Sequence, residues 1–314
     1  MIKVLFTGGG GAGNEGLFRL LGQQYELHFG DADVRAIDPG IPEDRRHQLP
    51  WASAPDFVGK MNDLCKRLSI DLLIPGVDEE LLALARKADE LAPTRLLLPN
   101  SDYVATMLDK LQMIQTLSEM QIPVPLSQTL ADDTQRIGFP CISKPRSGRG
   151  SRDVKVLSTP AEAKALKSAL GPLAQQTLVQ EKIEGVEYTV QMIADADGYL
   201  AAIVPVKVEV KKGITLRAET EAESRVISAC EAIHQAIPAK GIYNIQLMLT
   251  SKGAVLPFEI NPRISTTLCL VVAAGVDPIA IYFRDAQRKE LLPFVPGIQL
   301  QRHWKNYFFN RINQ

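Results

Sequence analysis

The sequence predicts an α/β protein in which a parallel, doubly wound sheet at the N-terminus precedes an α+β region of two lobes. Two observations support this fold class. Strands and helices alternate over the first hundred residues, and strand–turn–strand segments dominate the chain after a proline-containing break. At 314 residues the chain is long enough for two domains, and its 46% hydrophobic content can bury substantial cores.

The alternation near the N-terminus is regular enough to give a first set of elements. Short apolar runs bounded by polar or glycine residues predict strands, and runs with a 3.6-residue period predict helices. The predicted strands are Lys3–Thr7, Tyr25–Phe29, Asp71–Pro75 and Arg95–Leu98, and the predicted helices are Glu15–Gln23, Asp56–Leu68 and Glu79–Leu91.

The first turn, from Gly8 to Gly16, is glycine-rich and contains the pattern Gly-x-Gly-x-x-Gly twice. Asp31 or Asp33 follows the second strand, as a dinucleotide-binding sheet requires. A Rossmann-like NAD site is therefore one interpretation. An anion or carboxylate pocket at the turn is another, and simple tightening of the turn is a third.

A helix predicted over Ser101–Ser118 links the two parts of the chain, and the Pro-containing segment Ile122–Pro125 ends it. We expect a first domain at 1–105 and a second at 106–300, divided into a small lobe at about 124–183 and a large lobe at about 184–300. A further helix is predicted at Glu219–Ile237. The aromatic tail at 301–314 could supply a last strand near an acceptor pocket, a dimer contact or plain packing.

The run from Phe258 to Arg263 places an acid, an amide and an arginine on one strand face. Side chains alternate along a strand, so Glu259, Asn261 and Arg263 share a face, while Phe258 and Ile260 point into a core. One carboxylate and neutral amide oxygens are donors that suit magnesium, which completes its octahedron with waters and phosphates. A half-buried strand with a solvated polar face is the alternative.

The segment before this strand is its expected antiparallel partner, joined to it by a two-residue turn at Lys252-Gly253. In that register Gln246 lies across from Glu259, with roughly 5 Å between the side chains. Asn244 lies across from Asn261. Oxygen ligands from both strands therefore converge on one point.

About a hundred residues upstream, a short strand ends in Lys144 and continues into a basic, glycine-rich loop. Gly148 and Gly150 let the backbone approach an anion, and Lys144 supplies a point charge. Three arginines add planar donors suited to phosphate: Arg146, Arg149 and Arg152. The loop is not a Walker A motif, because its lysine precedes the glycines. We interpret it as a mobile phosphate lid.

Composition excludes several classes of protein. The net charge of −1 gives no global field that would attract nucleic acid or an anionic membrane. The N-terminal apolar run is too short for a signal or spanning segment, so we expect a cytoplasmic protein. The four cysteines are widely spaced among apolar neighbours, and we expect reduced core residues: Cys65, Cys141, Cys230 and Cys269.

The order of these motifs resembles the ATP-grasp superfamily, and within it the synthetase domains of the carbamoyl-phosphate synthetase large subunit. The motifs in chain order are Asp109-Lys110 at a helix start, Lys144, the glycine loop, Gln180-Glu181, Glu187, Gln246 and Glu259-x-Asn261-Pro-Arg263. The resemblance runs from about residue 1 to about 300, and it makes the first domain a Rossmann-like pre-ATP-grasp domain. Its most specific parts are the final strand motif and Lys144.

The resemblance implies a role for each matching position. ATP would be bound by Lys110, Lys144, Ser147, Gly148, Arg149, Gly150 and Ser151, with Glu181, Lys182 and Ile183 as the adenine hinge and Glu187 on the ribose. Gln246, Glu259 and Asn261 would hold magnesium, with Glu259 bridging two ions. Arg263 would face the transferred phosphoryl group or an acyl phosphate. Lys211 falls where the synthetases have a histidine near the phosphates, or it lies at a solvated strand end.

One departure from the family pattern affects the metal site. Gln246 stands where many relatives have a carboxylate, although the carbamoyl-phosphate synthetase pattern also allows glutamine. The substitution removes one negative charge from the site. Because hard cations are held largely by charge, we expect one of the two ions to bind more weakly.

The implied activity is that of an ATP-dependent carboxylate–amine ligase. A carboxylate attacks the γ-phosphorus to give an acyl phosphate, and an amine then displaces phosphate, so that ADP and phosphate are released. The expected partners are small-molecule carboxylate and amine substrates, with a homodimer left open and neither nucleic acid nor membrane involved. The alternatives are a non-catalytic ATP-binding regulatory module and an NAD(P)-dependent dehydrogenase that uses the glycine-rich turn.

Overall fold

A computed structural model describes residues 1–132, 136–148, 150, 152–283 and 290–308 of the chain. These residues form a parallel five-stranded sheet, an antiparallel four-stranded sheet and an antiparallel six-stranded sheet. The predicted fold class is confirmed: a parallel α/β sheet comes first, and two α+β lobes come after it. Within the described ranges, no helix is both long enough and apolar enough to cross a membrane.

The N-terminal sheet has the strand order β3-β2-β1-β4-β5, and its strands pair in parallel. Its strands are β1 (Lys3–Thr7), β2 (Glu26–Asp31), β3 (Arg46–Gln48), β4 (Leu72–Ile74) and β5 (Arg95–Leu96). Both faces are covered, because Val4 and Phe6 pack with helix α1 (Asn14–Leu21), while Leu5 packs with α2 (Phe57–Leu68) and α3 (Asp78–Arg86). Strand β3 was not predicted, because its three residues are polar.

Two short helices are present where a single one was predicted at Ser101–Ser118. Helix α4 (Ser101–Leu108) ends at Asp109, whose backbone is extended, and α5 (Lys110–Glu119) begins immediately after it. Asp109 caps α5 by accepting hydrogen bonds from the backbone N–H groups of Leu111 at 3.0 Å and Gln112 at 3.3 Å. The single-helix prediction is wrong, and the break places Lys110 at a helix start.

The small lobe is built on the four-stranded sheet, whose order is β6-β9-β7-β8. Its elements are β6 (Ser127–Thr129), β7 (Cys141–Pro145), β8 (Lys155–Leu157), α6 (Pro160–Leu170) and β9 (Thr177–Glu181). A separate core that includes Leu130, Cys141 and Val179 holds this lobe together. The basic glycine-rich loop connects β7 to β8.

The large lobe is built on the six-stranded sheet, whose order is β14-β13-β10-β11-β12-β15. Its strands are β10 (Val186–Ala194), β11 (Leu200–Lys212), β12 (Ile214–Thr220), β13 (Ile242–Leu249), β14 (Val255–Asn261) and β15 (Gln299–Gln301), and its helices are α7 (Ser224–Ala236), α8 (Leu268–Ala273) and α9 (Pro278–Tyr282). One sheet face packs on α4, α5 and α7, and apolar residues of the sheet also join α8, α9 and the N-terminal sheet in a second core. The helix predicted at Glu219–Ile237 starts later, because residues 219–220 belong to β12.

The pairing of β13 with β14 follows the predicted register where it matters for the site. Gln246 lies opposite Glu259, and Asn244 lies opposite Asn261. Towards the turn the register shifts by one residue, because a β-bulge sets two residues, Pro257 and Phe258, opposite one. Proline suits this position, since it lacks an N–H to donate to the ladder.

The turn that joins β13 to β14 differs from the predicted Lys252-Gly253 turn. The N–H of Gly253 donates to the carbonyl of Thr250 at 2.9 Å, so Ser251 and Lys252 are the central residues. Gly253 follows them with φ +85°, in the left-handed region that favours glycine. The extra residue in the turn is compensated by the bulge, which restores the predicted register at the site.

The four cysteines are buried and unpaired, as predicted. Burial raises the pKa of the Cys65 thiol to about 11 and raises the pKa of the Cys230 thiol further. High thiol pKa values make nucleophilic roles unfavourable at neutral pH, because only the thiolate attacks.

Candidate active site

The small and large lobes enclose a cleft of about 810 Å³. Its lining includes every described residue to which the family resemblance assigns a role: Lys110, Lys144, Ser147, Gly148, Gly150, Glu181, Lys182, Ile183, Glu187, Lys211, Gln246, Glu259, Asn261 and Arg263. The remaining two predictions, Arg149 and Ser151, lie outside the described residues. Arg146, which was expected to add a phosphate donor, is not part of this lining and pairs with Asp109 instead. Widely separated stretches of sequence thus meet in one cavity.

Lys144 lies at the back of the cleft and is only 6% exposed. Its ammonium group donates to the side chain of Gln180 at 3.0 Å and to the carbonyl of Phe258 at 3.2 Å, which joins the two lobes. Burial lowers the pKa of Lys144 to about 8; nearby Glu259 raises it, and the charge of neighbouring lysines lowers it further. An incoming polyphosphate would therefore meet a poorly compensated cation.

Phe258 was predicted to point into the core, and this prediction is wrong. Its ring lines the cleft, and the Lys144 ammonium lies 5.2 Å from the ring centroid. The cause is the bulge at residues 257–258, which interrupts the alternation of side chains. Ile260 beyond the bulge is 1% exposed in the core, as predicted.

Lys110 connects the glycine-rich loop to the proposed metal ligand. Its ammonium group donates to the carbonyl of Gly148 at 2.8 Å and lies 3.2 Å from a carboxylate oxygen of Glu259. The start of α5 is held in place because Arg146 contacts Asp109 with two donors, at 3.1 Å and 2.6 Å. This arginine therefore positions the helix start.

Lys211 lies between the proposed ribose residue and the proposed metal ligand. Its ammonium group is 2.5 Å from a carboxylate oxygen of Glu187 and 3.1 Å from the amide oxygen of Gln246. Gly213, which has φ +72°, forms the turn between β11 and β12 and holds Lys211 over the cleft. Lys211 therefore lines the cleft and is paired there, and it does not lie at a solvated strand end.

The polar face of β13 and β14 has the donors that magnesium prefers. It offers the carboxylate of Glu259 and the amide oxygens of Gln246 and Asn261. Asn261 donates its amide N–H to Asn244 at 3.2 Å, which orients its own carbonyl oxygen. The set fits a magnesium ion bound mainly through phosphate oxygens and water, because it supplies one charge and two neutral ligands. No group of three or more acidic, histidine or cysteine residues in the described part of the chain offers another metal site.

Arg263 follows β14 and lies at the junction of the cleft with a second cavity. Its side chain is 14% exposed and forms an ion pair with Asp78, the first residue of α3 in the N-terminal domain. It also donates to the carbonyl of Ile264 at 2.9 Å. Sequence reasoning missed Asp78, because an acidic residue at a helix start is common for helix-dipole reasons alone.

The second cavity, of about 560 Å³, opens from the cleft towards the glycine-rich turn. It shares with the cleft Glu79, Gly150, Arg152, Lys211, Gly213, Gln246 and Arg263. Its other walls come from both domains and include Gly10, Trp51 and Glu80 on one side and Asn244 and Thr266 on the other. The two cavities together can hold a nucleotide and a second molecule.

Glu80 lies at the floor of the second cavity and is 4% exposed. Burial raises the pKa of its carboxyl to about 7, and hydrogen bonds from Thr7, Val77 and Gly76 oppose that shift. The backbone N–H groups of Val77 and Gly76 donate to it at 3.1 Å and 3.2 Å. Glu80 therefore fixes the loop between β4 and α3.

The glycine-rich turn is held by contacts within the chain. The N–H of Gly10 donates to Asp31 at 2.9 Å, so the carboxylate at the end of β2 orients the turn. A Cβ atom on Gly13 would lie 2.6 Å from the carbonyl oxygen of Thr266, and one on Gly16 would lie 3.1 Å from Cys269. These glycines allow the N-terminal domain to pack closely on the large lobe.

Comparisons with known proteins identify the family of the chain. The ATP-grasp domain family matches residues 107–267. The formate-dependent phosphoribosylglycinamide formyltransferase of Ignicoccus hospitalis is 24% identical over 314 residues, which cover 90% of this chain and 74% of that protein. The carbamoyl-phosphate synthase of Methanobrevibacter smithii is 27% identical over 157 residues, which cover 47% of this chain and 41% of that protein. The chain thus matches less than half the length of that synthase.

A solved structure of another protein has a similar fold over most of this chain. The N5-carboxyaminoimidazole ribonucleotide synthetase of Thermotoga maritima has a TM-score of 0.65 and 19% identity, over 93% of this chain and 78% of that one. The domain family covers just over half of the 314 residues, and its limits enclose Lys110, Lys144 and the polar face of β13 and β14. The chain belongs to the ATP-grasp family.

Proposed function

We propose that the protein is an ATP-dependent ligase that joins a carboxylate to an amine through an acyl phosphate and releases ADP and phosphate. One observation carries this proposal: three lysine ammonium groups surround the Glu259 face in a cleft that opens, beside Arg263, into a second cavity. A nucleotide-binding protein without a second substrate would not need that opening. The family membership supports an enzyme of this class.

The nucleotide would lie between the lobes. Glu181, Lys182 and Ile183, at the end of β9 and in the loop after it, line the cleft and would contact the adenine, and Glu187 would contact the ribose. Lys144 and Lys110 would neutralise the phosphates, beside Ser147, Gly148 and Gly150 of the glycine-rich loop. Lys110 already contacts the Gly148 carbonyl, so phosphate binding and loop closure would be coupled.

The metal face would hold magnesium, and we propose two ions that share Glu259. Bound there, magnesium supplies positive charge that offsets the charge developing on the phosphate oxygens. Gln246 and Asn261 contribute neutral oxygens, so the protein adds a single negative charge to the site. Lys110 and Lys211 would exchange their contacts with Glu259 and Gln246 for contacts with phosphate.

The carboxylate substrate would bind at the junction of the two cavities. Arg263 lies there and can neutralise the oxygens of the acyl phosphate, while Lys211 reaches the same region from β11. The amine would approach from the second cavity and attack the acyl carbon, so that phosphate leaves towards the cleft. The walls of both domains would keep water away from the acyl phosphate.

The substrates are assigned at the level of chemical class. We propose small-molecule carboxylate and amine substrates, a location in the cytoplasm and a homodimer as the assembly to test. The related formyltransferase and ribonucleotide synthetase are named for reactions on small molecules, which supports substrates of this size.

ADP release tests the proposal directly. We expect ATP with magnesium to raise the melting temperature, and NAD, NADP and FAD to leave it unchanged. A screen of amino acids, hydroxy acids and amino sugars should then reveal a carboxylate and an amine that stimulate ADP release together. Stabilisation by NAD instead of ATP would support the dehydrogenase alternative. ATP binding without any stimulated ADP release would support the regulatory module.

A further inference from the structure

Arg302, in the C-terminal tail, contacts three separate segments around the second cavity. Its guanidinium group donates to the carbonyl of Thr215 at 2.9 Å and also to the carbonyls of Ala12 and Thr266. Ala12 belongs to the glycine-rich turn, Thr215 to the start of β12, and Thr266 to the loop between β14 and α8. One side chain therefore joins the N-terminal domain to two parts of the large lobe.

These three segments carry or adjoin groups that the proposed reaction uses. Thr215 and Thr266 line the second cavity, as does Gly11 next to Ala12. Thr215 pairs directly with Lys211 across the β11–β12 turn. Thr266 lies three residues beyond Arg263. A shift of any of the three segments would change the second cavity and the junction with the nucleotide cleft.

The tail backbone holds Arg302 in place. Strand β15 pairs antiparallel with β12, and the N–H of Arg302 continues this ladder by donating to the carbonyl of Leu216 at 3.0 Å. The packing of Gly13 against the Thr266 carbonyl, where a Cβ would lie only 2.6 Å away, leaves no room for the turn to approach further. The guanidinium contacts and this close packing thus both fix the position of the glycine-rich turn relative to the loop after β14.

We propose that Arg302 is a positioning residue that sets the wall of the acceptor cavity by clamping the glycine-rich turn, the β11–β12 hairpin and the loop after β14. This inference rests on the proposed ligase function and goes further, because it gives the tail a role in binding the amine and in protecting the acyl phosphate. Arginine suits the task, since its planar group presents several N–H donors in fixed directions to backbone carbonyls.

Kinetics of Arg302→Ala and Arg302→Lys test the clamp. We expect Arg302→Ala to raise the KM for the amine by about tenfold, which corresponds to a loss of roughly 1.4 kcal/mol in amine binding. ADP released per ligated product should rise, because a loosened wall admits water to the acyl phosphate. The Kd for ATP should stay within about threefold, and Arg302→Lys should be intermediate, because one ammonium cannot reach all three carbonyls.

Two further variants separate positioning from general stability. Tyr307→Phe removes a 2.8 Å hydrogen bond from the same tail to Asp38 and should leave the KM for the amine unchanged. Gly13→Ala disturbs the contact between the glycine-rich turn and the Thr266 carbonyl, so it should raise the KM for the amine as Arg302→Ala does. All assays would be run below the melting temperature of each variant, and Arg302→Lys carries the test if Arg302→Ala does not fold.

Hydrogen exchange gives a readout that needs no substrate. Amides of residues 10–16 and 264–270 should exchange faster together in the Arg302 variants, while the exchange of β13 and β14 stays unchanged. Failure of the wild-type protein to release ADP with any carboxylate would contradict the ligase proposal and leave this measurement valid. A folded Arg302→Ala protein with the wild-type KM for the amine, or with unchanged exchange at both segments, would overturn the clamp.

Discussion

Asp78 and Arg263 form an ion pair between the N-terminal domain and the end of β14, next to the proposed magnesium ligands. Asp78 is the first residue of α3, and Arg263 lies two residues beyond Asn261. The two side chains are 11% and 14% exposed, so both charges are largely removed from water. A guanidinium group that belongs to the proposed reaction centre is thus also part of the domain boundary.

This dual position makes Asp78→Asn the matched control for Arg263→Ala. Removing either partner leaves a largely buried charge alone, so both variants should lose about 3 kcal/mol of unfolding free energy. Only Arg263→Ala should also lose most carboxylate-dependent ADP formation, because it removes charge that stabilises phosphoryl transfer. Both should bind ATP with magnesium within a few-fold of wild type, as calorimetry would measure.

A purely structural Arg263 gives a different pattern. The two variants would then lose stability and turnover to the same extent, and correcting for the folded fraction would restore both activities. Weakened ATP binding in Arg263→Ala, with unchanged turnover per bound ATP, would also contradict its place at the acyl phosphate.

A second prediction concerns the metal face. Glu259→Gln keeps the shape of the side chain but removes the carboxylate that contacts Lys110 at 3.2 Å and is proposed to hold magnesium. Turnover should fall by at least ~10²-fold, the scale of losing one major electrostatic stabiliser. The magnesium concentration that gives half-maximal ADP release should rise. Glu209→Gln, an exposed change on β11, serves as the control, and near-normal ADP release by Glu259→Gln would refute the metal assignment.

The sequence was sufficient for the parts of the site that depend on strand geometry. The predicted pairing placed Gln246 across from Glu259, and it is correct because the bulge at residues 257–258 compensates for the extra residue in the turn. The glycine-rich basic loop was equally visible, since glycines and arginines after a strand have few other uses. These local rules sufficed because each involves neighbours in sequence or in one hairpin.

Contacts between distant elements could not be predicted in this way. The bulge that brings Phe258 to the cleft has no local signal, and Asp109 at the break between α4 and α5 pairs with Arg146 from another lobe. Asp78 and Arg302 each form contacts with segments more than 180 residues away. One sequence contains no local signal for such pairs, because their partners are chosen by tertiary packing.

A third prediction concerns acid stability and two neighbouring histidines. His28 and His47 share a hydrogen bond of 2.8 Å, and burial lowers the pKa of both, to about 4 for His47. The unfolded chain therefore takes up protons that the folded chain does not, so the free energy of unfolding should fall as pH drops from about 6.5 to about 4. Partial exposure reduces the contribution of His47 to about 2 kcal/mol.

Urea unfolding at several pH values measures this effect. His47→Gln keeps a hydrogen-bonding group beside His28 but cannot be protonated, so its stability should change less between pH 7 and pH 4.5 than that of wild type. Carboxylates titrate in the same range in both proteins, which makes the difference between the two curves the relevant quantity. Parallel curves would contradict the assignment to His47.

The last prediction concerns protonation of Lys144 during nucleotide binding. Its pKa of about 8 reflects burial and the charges of Lys110 and Lys211, which outweigh the opposing effect of Glu259. ATP with magnesium carries a net negative charge, so its phosphates should raise the pKa of Lys144 and keep the ammonium form. Binding above pH 8 should therefore take up protons, and the affinity should decrease as the pH rises from 8 to 9.5. Calorimetry at pH 8.5 in two buffers with different ionisation enthalpies measures this uptake.

Lys144→Met fills similar space without a titrating group. It should bind ATP more weakly at pH 7, because it lacks the ammonium charge that attracts the phosphates, and it should lose most of the proton uptake. Equal proton uptake by the wild-type protein and Lys144→Met would assign the proton to another group and remove Lys144 from the phosphate site.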